Sequence, residues 1–215
     1  SNYQPAVRTL ATSLVGMTIQ FWKKLQDRML PTPTKFHYFF NLRDLANITQ
    51  GLMEVGMFSD PENPEKRKDS KPWEVIKDEL TLLQAWKHEC TRVFSDKLND
   101  GGDKDFFDKE IMNLIKNNLG QEKADAVREN VYFVNYLRDP VLDDDTGEIV
   151  EAAPKIYEPA PNIEALQERL YTFQAAHNET PVGRVKKLDL VLFDAAVKHI
   201  GRASRVLSMP RGNLL

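Results

Sequence analysis

The sequence predicts a mainly helical protein, on three observations. Apolar residues recur mostly at intervals of three and four. Prolines and glycines gather between those runs, as at Pro31–Pro33, Pro61–Pro72, Asp100-Gly-Gly-Asp103 and Pro154–Pro161. Strand-type composition is confined to Val131–Leu137, seven residues that leave helix or strand open.

Taken in order, Val7, Leu10, Leu14, Met17, Phe21, Leu25 and Met29 mark one long helix closed by Pro31. Two prolines in three residues keep 31–37 extended. Leu42, Leu45, Ile48, Leu52 and Val55 mark a second helix, with Asn41 as its cap and Asp44 completing a capping-box-like pair. Residues 59–72 read as an exposed, charged loop. A long helix is expected from Trp73 to Leu98, burying Ile76, Leu80, Leu83, Trp86, Cys90 and Val93. Phe107, Ile111, Leu114, Ile115 and Leu119 predict another helix, stopped at Gly120. Residues 138–162 read as a long loop, acidic at Asp143, Asp144, Asp145, Glu148 and Glu151. Ile163, Leu166, Leu170 and Phe173 predict a helix, and a last one spans Leu188 to Leu207 with Leu192, Ala196, Ile200 and Ala203 inward.

Composition narrows the function. With 215 residues the chain can bury a real core, and 29 basic against 32 acidic side chains leave a net charge of −3. That balance predicts no nucleic-acid or membrane partner. The longest uncharged stretch, Thr9 to Trp22, is 14 residues, where a membrane span needs about 20. No basic-then-apolar leader opens the sequence, so no secretory signal is expected in it. The basic residues Arg184, Lys186, Lys187, Lys198, Arg202, Arg205 and Arg211 crowd the last thirty or so positions, and most simply form a solvated face, as does the acidic loop.

Complete active sites are missing. No glycine precedes a lysine, so there is no phosphate loop of the G-x-x-x-x-G-K form. His88-Glu89 begins like a zinc-protease helix, but Arg92 stands where the second histidine belongs. His37, His88, His177 and His199 have no metal-ligand spacing, and no metal residue is assigned. Cys90, the sole cysteine, excludes an intrachain disulfide and reads as a core thiol. His88 cannot activate it, because residues two apart on a helix point in opposed directions. One residue breaks a local rule. Arg43 sits in the first turn of the second helix, where the unpaired N–H groups make a cation unfavourable by about 0.3–1 kcal/mol. A bound anion such as phosphate would reverse that sign. The plainer alternative is a pair with Asp44 or a surface carboxylate.

Several longer motifs add a family resemblance. Met29-Leu-Pro-Thr-Pro-Thr-Lys-Phe-His-Tyr-Phe-Phe-Asn-Leu-Arg-Asp-Leu45 resembles the junction between large subdomain and helical lid in the third AAA+ module of dynein heavy chains. Trp86-Lys-His-Glu-Cys-Thr-Arg-Val-Phe-Ser-Asp-Lys-Leu98 resembles the next lid helix. Leu190-Val-Leu-Phe-Asp194, His199-Ile-Gly-Arg-Ala-Ser-Arg-Val-Leu207 and Pro210-Arg-Gly-Asn-Leu-Leu215 resemble the start of the fourth module. The axonemal dyneins match best, and Tyr132-Phe-Val, Leu137-Arg-Asp139 and Tyr157-Glu-Pro159 suggest the outer-arm class called γ in algae.

The resemblance implies an AAA+ small (lid) subdomain over 31–180. A last helix of the third large subdomain would precede it over 1–30, and the start of the fourth module would follow over 181–215. Because the large subdomain is absent, residues 1–30 and 208–215 are expected to be loose or to pack on a neighbour. The resemblance makes Arg43 the sensor-II arginine, reaching the terminal phosphate of bound nucleotide, and places Val191, Leu192 and Phe193 beside the adenine of the fourth module. The plainer role for these three, core filling at a helix start, stays open. Trp86, Cys90, Val93 and Phe94 would fill the lid, with Arg92 and Asp96 as an i,i+4 pair. The segment itself is expected to be neither an enzyme nor a nucleotide binder in isolation. Its parent would be an ATPase motor using ATP or ADP with Mg. The implied partners are neighbouring modules of the same heavy chain, the microtubule through the parent's stalk, and dynein intermediate and light chains. The implied place is the cytoplasm, the cytoskeleton and the ciliary or flagellar axoneme. The alternative is a helical interaction module without a nucleotide role.

Overall fold

A computed structural model describes residues 2–58, 64–143, 149–179 and 186–208. Helices dominate. They are α1 (Pro5–Arg28), α2 (Leu42–Glu54), a short α3 (Pro72–Val75), α4 (Glu79–Cys90), α5 (Gly101–Leu119), α6 (Gln121–Ala126), α7 (Ile163–Glu179) and α8 (Asp194–Ser208). Among the described residues two antiparallel pairs supply the strands: β1 (Phe133–Val134) with β4 (Glu158–Pro159), and β2 (Val141–Leu142) with β3 (Ile149–Glu151). Among the described residues no helix is long and apolar enough to cross a membrane.

Contacts divide the chain into two compact units, one of residues 1–57 and 71–130, the other of 58–70 and 131–215. In the first, α1 lays Leu14, Met17, Phe21 and Leu25 against α4 and α5, all nearly inaccessible. Phe21 meets Phe94 edge-on at 5.9 Å and Phe107 at 5.1 Å. Fully burying each such ring contributes roughly 1.5–3 kcal/mol. Trp86, fully buried, donates its indole N–H to Thr18 Oγ1 at 2.8 Å, and Thr18 donates in turn to Leu14 O. This core covers the main face of α1. The expectation of a loose 1–30 segment is corrected there, while 209–215 lie outside the described residues.

The expected Trp73–Leu98 helix is broken. Pro72 opens α3, Ile76 leaves helical geometry, and Asp78 caps α4 by accepting the Thr81 N–H at 2.7 Å. The break shifts the helical phase, so Leu82 and Leu83 are buried while Leu80 is 41% exposed. After Cys90 the helix widens into a π turn over Thr91–Ser95, where Asp96 N–H bonds Thr91 O at 3.0 Å. Gly120, at φ 95°, ends α5 as expected. Gly56, at φ 77°, lies against Pro72: a Cβ there would come within 2.5 Å of Pro72 Cα.

The second unit has a smaller core of Val134, Ala160, Leu166, Leu192 and Val197, edged by Tyr132, Tyr136 and Ile200. The 59–72 segment contains a 3-10 turn at Pro64–Asp69, and Ser70 within it is buried and accepts the Phe58 N–H. The 138–162 stretch carries β2, β3 and β4; its acidic residues 144, 145 and 148 lie outside the described residues. The last helix begins at Asp194 rather than Leu188. Residues 188–192 instead run extended, tied to side chains of α7. Asn178 brackets Leu188 with bonds of 2.7 and 2.8 Å, Gln174 accepts the Leu190 N–H, Tyr171 Oη accepts the Leu192 N–H, and Gln167 donates to Leu192 O. Those α7 groups step by three and four and satisfy a backbone that would otherwise need helical bonds.

Candidate functional site

The site begins with the short stretch before α2. Lys35 pairs with Asp103 and Asp100, and Tyr38 Oη donates to Asn99 Oδ1 at 3.1 Å while receiving the Asn99 N–H. His37 Nε2 lies 2.9 Å from Lys97 O, and Gln26 donates to Phe40 O. Thus 35–41 is stitched to α1 and to residues 97–103. α2 then opens with a complete capping box: Asn41 accepts the Asp44 N–H, and Asp44 Oδ2 accepts the Asn41 N–H at 3.0 Å.

Arg43 is the second residue of α2 and is exposed. No side-chain bond or ion pair engages it among the described residues, nor do the backbone N–H groups of Leu42 and Arg43 find a protein acceptor there. The pairing with Asp44 does not form, because successive helix residues do not face one another. Asp44, 9% exposed, turns back to the cap and to Lys97 Nζ at 3.0 Å. Lys97 also donates to Phe39 O at 3.0 Å and stands 4.6 Å from the Phe40 ring centre. Phe39 and Leu42, 62% and 70% exposed, form an apolar rim beside Arg43. A free guanidinium next to open helix N–H groups suits a phosphate by charge, dipole and planar hydrogen bonding.

The second predicted group divides. Leu192 is 3% exposed in the core of its own unit, while Val191 and Phe193 are 78% and 60% exposed on the extended segment. Leu192 is therefore core filling, before a helix start rather than within one. Arg184 and residues 210–215 lie outside the described residues.

Other cavities carry less chemistry. A groove of about 460 Å³ between α1, α2 and α4 is walled by Val15, Ile19, Leu45, Met53 and Trp86. Its lining is mostly apolar, with Tyr3, Arg8, Thr18 and Thr49 as the polar members. In the second unit a shallow recess of about 550 Å³ includes Arg138 and Arg169. Both are committed: Arg138 to Glu158 through two bonds of 2.8 Å, Arg169 to Tyr136 O at 2.9 Å, to Asp139 and to the Phe173 ring. Cys90 is fully buried, and burial, with Glu89's charge adding to it, pushes the thiol well above its usual range. Arg92 and Asp96 pair at 3.1 Å as expected. Among the described residues no cluster of His, Cys, Asp or Glu could hold a metal. Sequence reasoning missed Lys97 altogether. Its signal was absent from the helical pattern because a π turn decides where that side chain emerges.

Comparison with known proteins agrees with the helical fold. The family profile of the AAA+ lid domain matches residues 14–129, a range that ends where the first compact unit ends. Dynein axonemal heavy chain 5 of Rattus norvegicus is 39% identical over 218 residues, covering 100% of this chain and 6% of the rat protein. The Mus musculus counterpart is also 39% identical, over 220 residues, with 100% and 4% covered. The dynein gamma chain of the flagellar outer arm of Chlamydomonas reinhardtii is 37% identical over 209 residues, with 96% and 4% covered. The chain thus spans only a small part of the length of these relatives. Helical architecture, capped α2 and matched profile converge: this chain belongs to the AAA+ lid domain family, as a segment of axonemal dynein heavy-chain type.

Proposed function

We propose that this segment is the nucleotide-sensing lid of the third AAA+ module of an ATP-driven microtubule motor in the ciliary or flagellar axoneme. Residues 1–30 then end the third large subdomain, 31–180 form the lid, and 181–215 lead into the fourth module. Its partners are adjoining modules of the same heavy chain. The parent reaches the microtubule through its stalk and carries intermediate and light chains. The similarity to a flagellar outer-arm gamma chain supports the outer-arm γ class.

The carrying observation is Arg43: exposed, without a protein partner among the described residues, and beside a carboxylate already neutralised. ATP or ADP with Mg supplies the phosphate charge when bound to the parent. Arg43 and the open N–H groups of α2 receive its terminal oxygens, with charge-assisted bonds worth about 1.5–3 kcal/mol each. Because 35–41 is stitched to 97–103, a pull on Arg43 moves the first unit's core rather than a loose loop. Val191 and Phe193 lie on the adenine side of the fourth module in this reading. Nucleotide bound with different contacts in two lid orientations biases the lid, and 181–215 pass that bias onward.

Arg43→Ala in the full heavy chain tests this. The expected result is altered nucleotide dependence of ATPase rate and gliding velocity, with the lid still folded by limited proteolysis. Unchanged ATPase and gliding would overturn the sensing role.

A further inference from the structure

The carboxylate of Asp44 sits one residue from Arg43, at the end of α2 that would receive an anion. Left alone, it would oppose a phosphate there. One contact answers that charge, Lys97 Nζ meeting Asp44 Oδ2 at 3.0 Å, and two hold the ammonium in place: its bond to Phe39 O at 3.0 Å and its position over the Phe40 ring. Lys97 and Asp44 side chains are only 22% and 13% exposed, so solvent screens the pair incompletely. Lys97 reaches this position because the Thr91–Ser95 π turn adds a residue to the helical turn before it. His37 Nε2 against Lys97 O holds the backbone in place.

We infer that Lys97 is a positioning residue for the nucleotide phosphate: it cancels the Asp44 charge, so that the first turn of α2 presents Arg43 as the net charge to a phosphate oxyanion. The inference rests on the sensing role of Arg43. It adds a residue more than fifty positions away in sequence that acts through Asp44 and never touches nucleotide. Neutralising a carboxylate in the same helical turn as Arg43 should change the affinity for a terminal phosphate by about two- to fivefold.

The test uses the full heavy chain and the ATP dependence of gliding velocity and ATPase rate. Lys97→Met should raise the half-maximal ATP concentration about two- to fivefold, and the shift should shrink as salt is added. Asp44→Asn in the Lys97→Met background should restore the original value, since the offending charge is gone while the amide oxygen still accepts the Asn41 N–H. Lys97→Arg should leave it unchanged. If Lys97→Met fails to fold by limited proteolysis, Lys97→Gln keeps a donor for Phe39 O and should shift the value in the same direction. A shift that persists with Asp44→Asn would reduce Lys97 to a structural anchor and overturn the inference. So would no shift at all where Arg43→Ala has a clear effect. If Arg43→Ala itself does nothing, the sensing role falls and takes this inference with it, a different and recognisable outcome.

Discussion

The two units hold themselves together in different ways. The first is built on large rings and long helices: Phe21, Trp86, Phe94 and Phe107 are fully buried among α1, α4 and α5. The second has a core cluster of five aliphatic residues and one buried ring pair, Phe133 with Tyr157 at 5.9 Å, and polar side chains complete it. Asn135 bonds Ser208 and Ser204, and α7 amides and Tyr171 hold the 188–192 backbone. A dense apolar core resists deformation, so a charge mounted on it keeps its aim. A segment held by side-chain hydrogen bonds opens at lower cost. Arg43 stands on the first kind of support, Val191 and Phe193 on the second. That difference explains why the structure gives Arg43 a defined surrounding and leaves the other two projecting from a strap.

Core substitutions should expose this contrast most strongly. Trp86→Ala should destabilise the first unit by about 3–5 kcal/mol, read as a lowered urea midpoint. Leu192→Ala should cost the second unit nearer 2 kcal/mol, about the low end for such truncations. All three tryptophans, Trp22, Trp73 and Trp86, fall in the first unit, so their fluorescence reports it alone while circular dichroism reports both. Equal losses, or a loss from Leu192→Ala that tryptophan fluorescence follows fully, would erase the distinction.

A sharper probe compares two glycines within the first unit. Gly56→Ala meets the Pro72 backbone at 2.5 Å as well as a positive φ, and should unfold or rearrange the α2–α3 connection. Gly120→Ala meets nothing within 4 Å and should cost only the backbone strain of its φ 95°, ψ 166° conformation, about 1–3 kcal/mol. Matching midpoints for the two variants would show that the Pro72 contact yields freely.

The smallest effect concerns Lys87, buried on α4 and donating to Val127 O and Arg128 O. Burial lowers its pKa below the usual 10.5, with the charge of Asp108 partly opposing. The unfolded chain therefore binds more protons than the folded one in the window just below 10.5, and this group's contribution to stability rises with pH there. Relative to Lys87→Met, the wild type should gain in urea midpoint as pH climbs through that window. A flat difference would mean that the ammonium is better solvated than its surroundings indicate.

Much of this was legible from residues alone, and the failures share a cause. The α1 stripe, the Asn41–Asp44 capping box and the Gly120 stop are local features, and each stands as read. The Trp73–Leu98 helix reads as continuous because Asp78 inside a periodic stretch looks like a surface position; only its bond to Thr81 N–H reveals a start. Leu188–Phe193 looks helical because the groups that hold it extended belong to α7. The two-residue strands are too short to leave a period in sequence. Arg43 was visible as a violation of helix electrostatics, and the family resemblance supplied the sensor-II role proposed for it. Lys97 was not, since its meaning depends on a π turn and on a carboxylate over fifty residues away.

The complete burial of Cys90 has a practical consequence. With the one native thiol sealed and held protonated, maleimides and spin labels should pass the folded chain by. A cysteine placed at exposed Asn47, one turn beyond Arg43, would take such a label alone. The segment thus arrives already prepared for spectroscopists who want to follow the motion of α2, with no native thiol to remove first.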